Sequence, residues 1–384
     1  MLRSKVVVVG SNHHNALGVI RSLGEFGCNV FFVTHSCDDK SFVARSRYVE
    51  KHWRARSVEE VVDILLTNFG SEASRPIVIP ADDHSVDIID RNLNLLSHRF
   101  LCPNIKNQSC AIAEKMDKTK MNEIAAKYGF SVPRSFVLNV ETFEKVNSVV
   151  RGADITYPCI VKPLRSIEGT KSTITVCESE ETLLRILGEL APKYKRLLIQ
   201  EYVEKETEFG VLGFANHEQE QAVIPGVVVK LRESRVAPSA TYGKLVKTHP
   251  YVDVDSIIQF VRDLEYTGIF DMDLIYSKGK VYFIEMNFRN GAYGYAFTRA
   301  GVNVPALWCL SVLGHDLQTV PTEVNREVRF MNEIADFRNV LDGQTGLVSW
   351  LRQFMTADAH LIYNRHDIKP FIFRTLGLLS LTDS

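Results

Sequence analysis

Lys5–Val9 is a β-branched run that stops at Gly10. Beyond it, apolar residues recur at Leu17, Ile20, Leu23 and Phe26, the spacing of a helix with one buried face. Val30–Thr34 reads as the next strand. The alternation continues with a helix near Val58–Asn68, a strand at Pro76–Pro80 and a helix over about Ser85–Leu96, which Asp82 or Asp83 is placed to cap. Strand, helix and strand in repetition predict a small open parallel sheet over residues 1–108.

The pattern then changes. Residues 110–150 read as mostly helical, with Pro133 breaking one helix from the next. Tyr157–Pro163 and Ser172–Cys177 read as strands, Glu180–Leu190 as a helix and Arg196–Val203 as a strand. Strands dominate after that, at Glu208–Phe214, Ala222–Lys230, Asp271–Tyr276 and Lys280–Asn287. One helix over about Asp255–Glu265, ended by Gly268, interrupts them. The shift toward antiparallel pairing divides the remainder into two lobes, 109–195 and 196–322, with a hinge near Glu201–Glu206. Residues 323–384 read as a C-terminal helical extension.

Composition narrows the class. The 384 residues are 45% hydrophobic and 24% charged, ordinary for a globular chain of two or three packed units. A net charge of -1 gives no overall field for nucleic acid or a membrane surface. The four valines before Gly10 are too short for a signal-peptide core, and no stretch approaches the ~18 apolar residues of a membrane helix. A cytoplasmic protein is expected. The seven cysteines are scattered without a C-x-x-C and read as reduced thiols, with Cys159 and Cys177 inside strands. The apolar tail Phe371–Leu381 reads as a docked helix or a partner surface, with peripheral membrane contact as the alternative.

Candidate chemistry gathers on one hairpin. In Asp271-Met-Asp273 and Glu285-Met-Asn287 the polar groups recur at spacing two, so Asp273, Glu285 and Asn287 share a face. Two carboxylates and an amide oxygen are hard ligands of the kind magnesium takes beside phosphate oxygens. Arg289 follows, and a guanidinium suits phosphate. Lys162 ends the apolar strand YPCIVKP, where an amine needs an anionic partner or a path to solvent. The loop Leu164–Ser172 holds one glycine, Gly169, and matches no P-loop. Taken singly, each feature also has a plain reading: an exposed polar hairpin face, a snorkelling Lys162, a surface Lys118. His13, His14, Asp82 and Asp83 follow strand ends of the first domain, where open parallel sheets bind ligands, and are substrate candidates there; their plain readings are an exposed loop for the histidines and a helix cap for the aspartates. Arg232, Arg235, Lys244 and Lys247 read as a solvated basic loop, or as a clamp for a substrate carboxylate.

The order of the pieces resembles the ATP-grasp superfamily over roughly residues 1–315. The resemblance rests on Asp117-Lys118, IVKP at 160–163, QEYVEKETEFGV at 200–211, DMDLIY and FIEMNFRNG. SNHHNALGVIRSLG, IPADD at 79–83 and RFMNEIADFRNVLDG at 329–343 look like the carboxylate–amine ligases within it, similar to D-aspartate ligase and the carbamoyl phosphate synthetase large chain. The resemblance implies an α/β and α+β chain, with an open parallel domain followed by two lobes clamping ATP. It implies phosphate contacts from Lys118 and Lys162, adenine contacts from Glu201, Tyr202 and Val203, and a ribose contact from Glu208. Lys230 would be a further basic residue near the phosphates, and Arg289 would face the transferred phosphoryl group. Asp273, Glu285 and Asn287 would hold magnesium, with manganese as a substitute, Glu285 bridging two ions. The implied reaction makes an acyl phosphate and ADP from a carboxylate and couples it to an amine, and dimers are common in the family. The alternatives are a carboxyphosphate-forming carboxylase, usually attached to a carrier domain or a duplicated half, and a non-catalytic ATP-binding module. An ordinary Rossmann oxidoreductase is excluded by the turn GSNHHNALG, which holds no G-x-G-x-x-G.

Overall fold

The computed structural model describes residues 4–35, 41–140, 143–169, 173–234 and 239–382. Three sheets organise it. In the first, Val6–Gly10 pairs in parallel with Val30–Thr34 on one side and Ile77–Pro80 on the other, and Val49–Arg54 completes the edge. The four valines of the first strand are fully buried. The flanking helices His14–Glu25, Val58–Phe69 and Asp83–Arg91 start where His13, Ser57 and Asp82 accept a backbone N–H of the first turn. The single helix expected over Ser85–Leu96 is two, Asp83–Arg91 and Leu93–Leu96, broken at Asn92.

The second sheet runs Ser135–Asn139, Arg196–Glu201, Cys159–Pro163, Thr175–Cys177 in spatial order, all antiparallel. Helices Phe143–Gly152 and Glu180–Leu190 close one face, with Val146, Leu183 and Leu187 packed on Val161, Leu197 and Ile199. Two expectations change here. A strand, Ser135–Asn139, stands where mostly helix was expected. Arg196–Glu201, assigned to the second lobe, pairs within the first-lobe sheet.

The third sheet has nine strands. Its main path is Lys280–Asn287, Tyr266–Ser277, Thr207–Asn216, Val227–Glu233, Ala240–Val246, Val328–Met331 and Ala359–His360. The run expected as one strand over Ala222–Lys230 is two, Gln221–Val223 and Val227–Glu233, because Pro225-Gly226 cannot continue the ladder. Helix Val254–Asp263 ends before Gly268, which lies inside the Tyr266–Ser277 strand with φ 155°, a conformation that suits glycine. Arg232 and Lys244 sit on strands rather than in a solvated loop, and Arg235 lies outside the described residues. Arg232 donates to Asp336 and Gln353, so its charge is already matched.

The C-terminal stretch is more than a helical appendage, since Val328–Met331 and Ala359–His360 extend the third sheet. Its last helix, Lys369–Thr382, docks on the first domain, with Arg45 over Phe373 and Arg374 over Phe42. Beneath it Arg21, from helix His14–Glu25, is fully buried. Its Nε donates to Asp367 at 2.9 Å and its Nη2 to the Ile362 and Asp367 carbonyls at 2.9 and 3.0 Å. Among the described residues no helix is long and apolar enough to cross a membrane.

Candidate active site

A cleft of about 440 Å3 lies between the second and third sheets. Lys162, on the strand Cys159–Pro163, projects into it with only 6% of its surface exposed, and its Nζ donates to Gln200 Oε1 at 2.7 Å. Burial pushes this ammonium down to about 8; Lys118 nearby adds to the shift and Glu285 opposes it. Lys118 opens helix Lys118–Lys127, where Asp117 caps the first turn through the Thr119 N–H. Ile160, Ile174 and Val176 form an apolar wall.

Opposite the lysines, register places Asp273 directly across from Glu285, and Asp271 across from Asn287. Asp273 and Asn287 are 8% and 6% exposed. Asn287 faces a narrow recess shared with Lys118, Asp83 and Glu285. Lys230 stands between Asp273 Oδ1 at 2.7 Å and Glu208, its direct neighbour in register. Burial alone would push the Glu208 carboxyl up; Lys230 and Lys205 outweigh it and hold the group at about 2. Burial likewise works against the Lys230 ammonium, but Asp273 and Glu208 raise it well above its ordinary value.

Arg289 is anchored from two sides. Its Nε donates to Asp83 Oδ1 at 2.8 Å and its Nη2 to Asn287 Oδ1 at 3.1 Å. Asp83, read from sequence as a cap, is this link between the first domain and the hairpin, while Asp82 makes the cap. Beside it, Asn15 donates to the Asn290 carbonyl at 2.6 Å and Asn290 returns a bond to Asn15 Oδ1 at 2.7 Å. His13 caps its own helix through the Asn15 N–H, and His35 meets Asp82 at 3.1 Å.

Asp271 was not singled out as a ligand. It is buried and accepts from the Tyr293 hydroxyl. Burial, then the neighbouring Asp273, push its carboxyl up to about 7, with Arg289 opposing. A Cβ at Gly291 would meet this carboxyl at 2.9 Å, so glycine is required there.

The expected hinge is only partly at the cleft. Tyr202 and Val203 line it. Glu201 lines a groove on the other face of the sheet, where its carboxylate accepts the Arg134 N–H at 3.2 Å. Strand alternation turns Gln200, not Glu201, toward Lys162. The N–H groups of Glu201 and Tyr202 donate to the carbonyls of Arg134 and Pro158, so neither serves an incoming base.

No group of three or more His, Cys, Asp or Glu among the described residues is arranged to hold a metal ion. The Asp273, Glu285 and Asn287 set differs in kind, being two carboxylates and an amide oxygen. It fits magnesium by its hard oxygen donors, carried on the two paired strands of one hairpin.

Residues 117–292 match the family described as the carbamoyl-phosphate synthase L chain, ATP binding domain. The chain has the ATP-grasp fold. Among curated relatives of this ATP-grasp chain, the formate-dependent phosphoribosylglycinamide formyltransferase of Sulfurisphaera tokodaii is 27% identical over 52% of this chain and 50% of that protein. The D-aspartate ligase of Enterococcus faecium is 21% identical over 64% and 61%. The chain spans about half to three fifths of the curated relatives it matches. The L-amino acid ligase of Bacillus licheniformis superposes with a TM-score of 0.64 at 15% identity, covering 86% of this chain and 80% of that one.

Proposed function

We propose that the protein is an ADP-forming ligase that activates a carboxylate as an acyl phosphate and joins it to an amine, with an amino acid or a compound like one as substrate. The observation that carries this reading is the gathering, on one cleft, of Lys118 and Lys162, the Asp273–Glu285 pair and an Arg289 tied to Asp83 of the first domain. Lysines and an arginine offer fixed positive charge to transferring phosphate oxygens, and such preorganised charge is the main resource of phosphoryl transfer.

In this reading Lys118 and Lys162 hold phosphates and the apolar wall takes the base. Val203 and the Glu201 carbonyl read its edge. Glu208 meets ribose, and Lys230 leaves Glu208 for the phosphates. Asp273, Glu285 and Asn287 hold magnesium or manganese, which supplies charge neutralisation at the phosphate oxygens. Arg289 orients the phosphoryl acceptor, and the acid and amine lie toward Asp83 and the strand ends of the first domain, where open parallel sheets take ligands. We place the protein in the cytoplasm as a homodimer acting on small molecules. The exposed apolar row Leu347, Val348, Leu351 and Met355 supports self-association.

The test is phosphate release from Mg-ATP against amino acids and small acids, singly and in pairs, with ADP and AMP both quantified. ADP and phosphate that require one acid and one amine support the ligase. ADP with bicarbonate alone favours a carboxylase, AMP overturns the acyl-phosphate route, and ATP binding without turnover favours a regulatory module.

Lys162 gives a second expectation. Bound phosphates favour its ammonium, so its contribution to ATP affinity is complete below the empty-cleft pKa of about 8 and is lost as pH rises through and beyond it. ATP affinity measured by calorimetry should fall above pH 8 by up to about tenfold per pH unit. Lys162→Met should bind more weakly at neutral pH and lack this dependence. An equal slope in the variant would assign the titration elsewhere.

A further inference from the structure

We propose that Cys159 and Cys177 are a redox pair, whose reversible disulfide joins the outer two strands of the first lobe and disturbs the nucleotide cleft behind them. The two residues are direct partners in the antiparallel register of Cys159–Pro163 with Thr175–Cys177. Opposed residues in such a ladder have Cα atoms about 4.5–5.5 Å apart, inside the span of about 4.4–6.8 Å that a disulfide bridges. Both thiols are buried in the same small core and are in contact, one S–H donating to the other sulfur. That contact raises the Cys159 thiol and lowers Cys177, against burial, which makes Cys177 the readier of the two to react.

Access comes from position. Thr175–Cys177 is a three-residue strand at the sheet edge, the kind of element that opens locally without global unfolding. With hydrogen peroxide as oxidant, the Cys177 thiolate attacks one oxygen. The O–O bond breaks, hydroxide leaves, and Cys177 carries a sulfenic acid. Cys159 sulfur then attacks the Cys177 sulfur. The S–S bond forms, the S–O bond breaks, and the hydroxyl departs as water with the Cys159 proton. Two thiols and one peroxide thus give one disulfide and two waters, and a dithiol reductant reverses the bond.

The consequence follows from strand alternation. The cysteines face the lobe's core, whereas Ile160, Lys162 and Val176 on the same two strands face the cleft. Opposed Cβ atoms sit about 4.5–5.5 Å apart in a ladder, but disulfide-bonded ones average about 3.8 Å. Drawing the strands together on the core face rotates the cleft face apart. ATP then meets a displaced wall and a displaced Lys162, and binds several-fold more weakly.

The effect on ATP rests on the proposed function; the disulfide does not. The full chain is treated with peroxide, digested without reductant, and read by mass spectrometry for the crosslinked 159–177 peptide pair, less two hydrogens. Affinity for ATP is measured before oxidation, after it, and after dithiothreitol. The crosslink is expected at oxidant levels that modify the half-buried Cys110, with weaker ATP binding that dithiothreitol restores. Cys159→Ser and Cys177→Ser should each bind ATP as the reduced protein does and ignore the oxidant. Separate 159 and 177 thiols after Cys110 has reacted would overturn the proposal, as would a crosslink that leaves ATP affinity unchanged. A reduced protein that binds no ATP would count against the proposed function, while the crosslink would still be read.

Discussion

Glu285→Gln should lose turnover by a factor of about 10²–10³ or more, with its melting temperature unchanged, because it removes one preorganised charge from the cleft. The side chain is half-buried and stands directly across from Asp273, so the swap keeps shape and removes a formal charge. The loss should appear in kcat more than in ATP affinity, since charge at the phosphoryl group matters most as transfer proceeds. Glu285 also supports the Lys162 ammonium, so the pH at which ATP affinity begins to fall should move downward in the variant. Steady-state ADP release and ATP titrations across pH check both. Near-normal turnover would remove Glu285 from the proposed metal site.

Arg21→Ala should cost about 3–5 kcal/mol of stability, the range for breaking a buried ion pair from one side. Arg21 and Asp367 have side chains 0% and 1% exposed. Without the guanidinium, Asp367 keeps bonds from the Ser46 hydroxyl and the Arg47 N–H but has no cation, and the Ile362 carbonyl loses a donor. The urea midpoint of the variant reads the loss. Asp367→Ala on the same background should recover part of it, because it removes the stranded charge. A midpoint shift within that of a surface substitution would deny the pair its structural role.

The regular elements of the first domain were legible because burial there coincides with apolar periodicity, as in Val6–Val9 and helix His14–Glu25. The Asp273–Glu285 face was legible because alternation along a strand is local. What was missed depends on distant partners. Val49–Arg54 reads VEKHWR and is held as a strand by its neighbour Val30–Thr34, not by its own pattern. Ala240–Val246 looks like a basic loop until Val227–Glu233 and Val328–Met331 pair on its two edges. Asp83 carries no local sign that it meets an arginine more than 200 residues later. The orientation of the Glu201 side chain has a nearer reason: alternation from the buried Ile199 puts Gln200 on the cleft side and turns the Glu201 carboxylate away, and that count was available in the sequence.

The union of Arg21 with Asp367 also sets an order of events during synthesis. The two are separated by 346 positions. At ribosomal rates of about 5–20 residues per second, roughly 17–70 s pass between the emergence of one and of the other. Through that interval the Arg21 guanidinium has no buried carboxylate to receive it and must stay hydrated. The parallel sheet of the first domain can therefore assemble early, but the face of helix His14–Glu25 that carries Arg21 stays open until the segment with Asp367 arrives. A nascent chain of this protein exposes that face to chaperones until Asp367 has emerged to close it.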